Sequence, residues 1–180
     1  MPPPGFVQLT ASQRRLLAAF TAVALVIRAA AAWRFSWYNT DTLAYFDMAT
    51  AIADGRPMSY FPNGYPLLIY AVRSLAGDIN APGVLVGLNV LASTLIVPVV
   101  ALIGARCFSA RVGLVAAALV AVWPNQINYT RQILTEAPAA ATIVLAVAAL
   151  LSRRDAMAGA LAYGAVLLRS TLLPAAVLFA

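Results

Sequence analysis

The sequence predicts an all-α protein: a polytopic transmembrane helix bundle of about five spans, with a short amphipathic-helix loop on one side. Three observations predict it. Hydrophobic residues make up 63% of the 180 residues and charged residues 10%, where a soluble domain carries roughly a quarter charged residues. A fold of this length cannot hide so much apolar surface, so the excess must face lipid. The apolar residues also fall into long runs separated by short polar turns, and the arginines stand singly or in pairs between those runs, as topogenic charges do.

The elements follow in order. Residues 1–15 form a Pro-rich N-terminal segment that closes on Arg14 and Arg15. Leu16 to Trp33 is the first run and reads as a retained signal anchor, with Arg28 near its far end placed to snorkel or to face a polar cavity. The longest non-spanning segment, 34–80, opens on the interfacial aromatics Trp33, Phe35, Trp37 and Tyr38. A short helix is expected over 41–54, capped by Thr40, with Asp41 against the helix dipole and Gly55 ending it. Phe61 to Pro66 reads as a tight turn, and a second short helix runs from Pro66 to Ala76, ended by Gly77. This loop is amphipathic and is expected to lie on the membrane surface.

Ala81 to Ala105 is the second span, with Pro98 inside it as a kink. Val112 to Trp123 is the core of the third. Residues 124–135 read as a polar turn. Glu136 to Leu151 is the fourth span, and a fifth begins at Ala156, interrupted by Arg169 and Pro174. Arg14, Arg15, Arg106, Arg111, Arg153 and Arg154 all fall on one side, which the positive-inside rule makes cytoplasmic. The N-terminus is then cytoplasmic, and loop 34–80 and turn 124–135 lie on the outer face. The chain reaches Ala180 inside an apolar stretch, which reads as the N-terminal part of a longer membrane protein, with 16–180 as its transmembrane domain.

Composition excludes several chemistries. The net charge is +6, but the basic residues form no stripe or tail, so nucleic-acid binding is excluded. There is no His, which removes the commonest general base and metal ligand. The single Cys107 excludes an internal disulfide. Acid–base work must then rest on carboxylates, and five of the six acids (Asp41, Asp47, Asp54, Asp78, Glu136) lie on the outer side. Asp41, one helical turn before Tyr45, could act as general base toward an acceptor hydroxyl; its plainer reading is a helix-start acid held by the dipole. Glu136 opens an apolar helix, where an acid is expensive if it moves inward. Arg169 interrupts an apolar run, and its planar fork suits a phosphate at the bilayer surface; the plainer reading is snorkelling. No metal-ligand spacing appears, and no metal ligands are assigned.

The order of short motifs carries a resemblance. Thr40-Asp41-Thr42-Leu43-Ala44-Tyr45 follows the first span, and Pro62-Asn63-Gly64-Tyr65-Pro66-Leu67-Leu68 comes next. Ala116 to Pro124, Tyr129-Thr130-Arg131-Gln132-Ile133-Leu134-Thr135-Glu136 and Leu167-Leu168-Arg169 come later. Together they resemble the N-terminal part of the polyprenyl-phosphate-sugar-dependent membrane glycosyltransferases, the group with the C-type glycosyltransferase fold that includes protein O-mannosyltransferase and aminoarabinose transferase relatives. The resemblance implies a donor sugar on a polyprenyl phosphate, an acceptor that is a protein, glycan or lipid, and inverting transfer at the outer face of the plasma (inner) membrane. It implies that Asp41 is catalytic and that Tyr45, Glu136 and Arg169 bind substrate; it assigns no cofactor beyond the lipid-linked donor and leaves a divalent metal open. Many relatives carry an Asp-Glu pair where this chain has Asp41-Thr42, so a paired-carboxylate or metal role loses its second acid. Two other classes stay open: a transporter or flippase component with Arg28, Glu136 and Arg169 along a polar path, and a non-catalytic membrane scaffold.

Overall fold

The computed structural model describes residues 9–34, 39–56 and 60–177, and all its regular elements are helices. The interfacial aromatics Phe35, Trp37 and Tyr38 lie outside the described residues.

Helix α1 (Ala11–Ala32) starts ahead of the expected Leu16 because Thr10 and Gln13 form a reciprocal cap. The Thr10 hydroxyl accepts from the Gln13 N–H at 3.3 Å, and the Gln13 side chain accepts from the Thr10 N–H at 2.9 Å. Arg14 and Arg15, placed by the sequence in the N-terminal segment, are therefore helical. Helix α2 (Thr40–Ala53) is capped by Asn39 and not by Thr40: the Asn39 side-chain Oδ1 accepts from the Asp41 N–H at 3.0 Å. The chain leaves α2 at Gly55 with φ +67°, a conformation that favours glycine. Helix α3 (Gly64–Ala76) begins just before Pro66 and ends at Gly77, as expected.

Helix α4 (Ala81–Cys107) runs through Pro98 as one element. Helix α5 (Ala110–Ala121) is capped by the Ser109 hydroxyl. It is followed by α6 (Pro124–Thr130), bent from α5 by 51°. The expected polar turn 124–135 is thus half helix. Pro124 sits at the first helical position, where its fixed φ suits a helix start and its missing N–H is not needed. Helices α7 (Glu136–Leu151) and α8 (Asp155–Leu168) form a hairpin. Arg169 is extended (φ −151°, ψ 107°) and ends α8 before a 3₁₀ turn at Ser170–Leu172 and the short α9 (Leu173–Val177).

Among the described residues α1 and α4 are long and apolar enough to cross a membrane, and α5 with α6 makes a third span if the bent pair is counted as one. Five spans are not reached by this measure. At 1.5 Å per residue α7 and α8 are about 24 and 21 Å long, short of a hydrocarbon core of roughly 30 Å. The fourth run coincides with α7, while the fifth continues past the end of α8 at Leu168.

Helix α4 is the central element, touching α1, α3, α5, α6 and α7. Two kinds of core meet along it. Between the long helices the contacts are small: Ala24, Val97, Ala101, Ala117 and Ala121 cluster, and Gly104 faces Gly113 across the α4–α5 crossing. A Cβ on Gly104 would lie 2.7 Å from the Gly113 Cα, and one on Gly113 would strike the Ala101 carbonyl oxygen. Helices in lipid gain little from burying apolar surface against each other, so close backbone approach carries their packing. At the end that holds α2 and α3 the core is instead built of large side chains, with Tyr45, Tyr65, Ile69, Leu85 and Ile133 buried together. The buried face of α2 is Thr42, Tyr45, Met48 and Ala49, while Leu43 and Thr50 are exposed. The Arg73 guanidinium ties α3 to α2 and to the next turn, donating to the Thr50 hydroxyl at 2.7 Å and to Asp78 at 2.6 Å.

Candidate functional site

The site is assembled where α2, α6, α7 and the end of α8 converge. Two hydrogen bonds, one buried and one part-buried, dock the segment 131–135 between its neighbours. The Thr42 hydroxyl of α2 donates to the Ile133 carbonyl at 3.0 Å, and the Asn89 amide of α4 donates to the Gln132 carbonyl at 2.6 Å. With that segment held from two sides, Thr135 and Glu136 come within electrostatic reach of the Tyr45 hydroxyl.

Tyr45 is buried, its ring tilted against Phe61 (centroids 4.9 Å) and edge-on to Tyr65 (5.2 Å). Burial pushes its hydroxyl above the ordinary tyrosine value; the neighbouring Thr135 hydroxyl and Arg169 pull it down, and Glu136 and Asp41 push it up. Those four side chains therefore surround it closely enough to be felt. Burial likewise raises Tyr65 well above the tyrosine range, and the Asn89 amide lies near its hydroxyl without completing a hydrogen bond.

Glu136 is the first residue of α7, where the helix dipole favours a carboxylate. Its Oε1 accepts from Arg169 Nη1 at 2.7 Å, and its Oε2 is buried with no hydrogen-bond partner. Arg169 Nε donates to the Thr171 hydroxyl at 3.1 Å, while Nη2 has no partner among the described residues. The Arg169 side chain is 42% exposed. This ion pair sits on the wall of a cavity of about 390 Å³. Trp123, Asn125, Gln126 and Tyr129 of the α5–α6 break and α6 form one wall. Glu136, Ala139, Ala140 and Ile143, one face of α7 at helical spacing, form the other.

Comparison with family models, with curated proteins and with solved structures finds no match to this chain. The geometry alone therefore carries the functional argument. Free guanidinium N–H groups suit an oxyanion, an orphaned carboxylate oxygen suits a ligand hydroxyl, and the Trp123 and Tyr129 rings suit a flat apolar face of a ligand.

Of the residues singled out from sequence, Glu136 and Arg169 come together on the cavity wall, and Tyr45 lies buried within their electrostatic reach without lining the cavity. Asp41 is exposed on the first turn of α2, within electrostatic reach of Tyr45 but off the cavity wall, and its carboxylate joins no ion pair among the described residues. Asp54 and Asp78 pair with Arg56 and Arg73 at the surface. The cavity residues of α6 were not singled out, although the succession Trp123-Pro124 followed by polar residues was there to mark a helix start.

Arg28 departs from both expectations for it. It neither snorkels nor faces a cavity: the residue is 0% exposed. Its Nε donates to the Ser93 hydroxyl of α4 at 2.7 Å, Nη1 to the Ala121 and Ala24 carbonyls at 2.9 and 3.3 Å, and Nη2 to the Val120 carbonyl at 3.0 Å.

Proposed function

We propose that this chain is a membrane glycosyltransferase, moving a sugar from a polyprenyl-phosphate donor to an acceptor hydroxyl at the outer face of the inner membrane, with its N-terminus cytoplasmic. The observation that carries the reading is the Glu136–Arg169 pair, half-used on both sides, on the wall of a cavity with aromatic and amide residues opposite. The donor phosphate sits on the free edge of Arg169, which Glu136 orients, and the sugar lies against Trp123 and Tyr129. Asp41 accepts the proton of the acceptor hydroxyl as that oxygen bonds to the anomeric carbon. The bond from that carbon to the phosphate oxygen breaks on the opposite face, inverting the centre. Arg169 stabilises the negative charge that grows on the departing phosphate, and Tyr45 shapes the approach between the two. In this reading α7 and α8 complete a five-span topology as short helices, with local thinning of the bilayer. Enclosure of Arg28 by Ser93 and three backbone carbonyls favours this reading over a polar transport path through the bundle.

The test is reconstitution of the protein in liposomes with a panel of radiolabelled polyprenyl-phosphate sugars and candidate acceptors. Label passing to an acceptor with inverted anomeric configuration supports the proposal. Accumulation of a solute or lipid across the bilayer without transfer would replace it with the transport reading.

A further inference from the structure

The bonds of Arg28 fall on one place in the chain. In a continuous helix the Val120 carbonyl would accept from the N–H of residue 124, and the Ala121 carbonyl from that of residue 125. Residue 124 is proline and has no N–H. The Val120 carbonyl keeps a long 3.4 Å bond from the Trp123 N–H, and no Asn125 N–H reaches Ala121 across the 51° bend. Two carbonyls at the end of α5 thus face the bundle interior without their helical donors, where an unpaired backbone group is costly because no water replaces the lost bond.

We infer that Arg28 is the positioning residue of the cavity wall: its guanidinium supplies to Val120 and Ala121 the donors that the Pro124 break removes, and so fixes where α6 carries Trp123, Asn125 and Gln126. Three features fit that role. The side chain is fully buried and joins three helices, through Ala24 of its own α1, Ser93 of α4 and the end of α5. The terminal carbonyls of α5 carry the negative end of its dipole, which offsets the guanidinium charge where no carboxylate among the described residues pairs with it. The break that Arg28 braces leads within two residues to Trp123, the first residue of the cavity wall. The role holds whatever the cavity binds.

The experiment is a double-mutant cycle between Arg28→Met and Pro124→Ala. It is carried out on the whole protein with Trp33→Phe and Trp37→Phe, so that Trp123 is the remaining tryptophan. Arg28→Met is expected to lower Tm by roughly 5 °C or more. Pro124→Ala, which restores the N–H at 124, recovers most of that loss. Trp123 emission and its quenching by acrylamide shift in Arg28→Met and stay shifted in the double variant, because the rescued helix no longer bends in the same place. A merely structural arginine would lose the same Tm with Pro or Ala at 124 and leave the Trp123 signal in place; either result overturns the inference. If Arg28→Met does not accumulate in the membrane, recovery of accumulation by Pro124→Ala supports the role, and equal absence of both variants beside a stable Pro124→Ala chain refutes it.

Discussion

Arg169, the residue on which α8 ends, donates from Nη1 to Oε1 of Glu136, the residue on which α7 begins, at 2.7 Å. Each partner keeps an unused polar edge: Glu136 Oε2 is buried without a hydrogen bond, and Arg169 Nη2 has no partner among the described residues. A pair so arranged is poised to hold a ligand as well as to hold itself.

Changing either partner should therefore affect binding more than folding. The pair is partly exposed, with side chains 42% and 25% accessible, so Glu136→Gln is expected to cost under about 1 kcal/mol of stability. Arg169→Lys keeps the charge and loses the planar fork, and roughly tenfold weaker binding of a polyprenyl phosphate is expected. Thermal unfolding and lipid-phosphate titration measure the two effects separately. Equal losses in both would make the pair structural.

Asp41 lies exposed and joins no ion pair among the described residues. Asp41→Asn is expected to leave membrane insertion and Tm close to those of the unaltered chain and to abolish sugar transfer. Transfer at an undiminished rate would remove Asp41 from the mechanism.

The α4–α5 crossing should tolerate no side chain at its contact point. Gly113→Leu forces a Cβ against the Ala101 backbone and is expected to destabilise by at least about 1–3 kcal/mol. Gly83→Ala and Gly87→Ala on the partner helix α4 meet open space and should leave Tm unchanged or slightly raised by helix propensity. Thermal unfolding of the three variants in one detergent checks the contrast.

Tyr45 and Tyr65 should titrate late. Burial raises Tyr45 and Tyr65 above the ordinary value of 10.0 in the folded chain. Because the fold favours their neutral forms, their contribution to stability is fully present below pH 10 and is lost as pH rises above it. Tyrosinate absorbance should show a late phase that coincides with alkaline unfolding and shrinks in Tyr45→Phe and Tyr65→Phe. A single phase near the ordinary value would contradict the burial of both hydroxyls.

Much of the helical pattern was legible before any coordinates. The bounds of α7, the Gly55 and Gly77 stops, and the two short helices between the first and second long helices follow from apolar runs and local punctuation. Asn39 against Thr40 as the α2 cap was not decided by composition, since both residues can cap and only the backbone turn selects between them. The α6 helix was hidden because it is short and polar, with too few apolar residues to show a period.

The sequence by itself determined that this is a helical, lipid-facing chain, because composition and run length reflect the solvent each segment must meet. It also marked Asp41, Glu136 and Arg169, since charged groups beside or within apolar helices are costly and stand out. Tertiary structure decided which of them meet. Glu136 and Arg169 lie 33 residues apart and pair because the α7–α8 hairpin brings one helix start beside the other's end. Arg28 and the α5–α6 break are more than ninety residues apart. No local pattern could announce that an arginine in the first helix would provide the donors a proline had removed from the fifth, because the need and the remedy are joined only by packing.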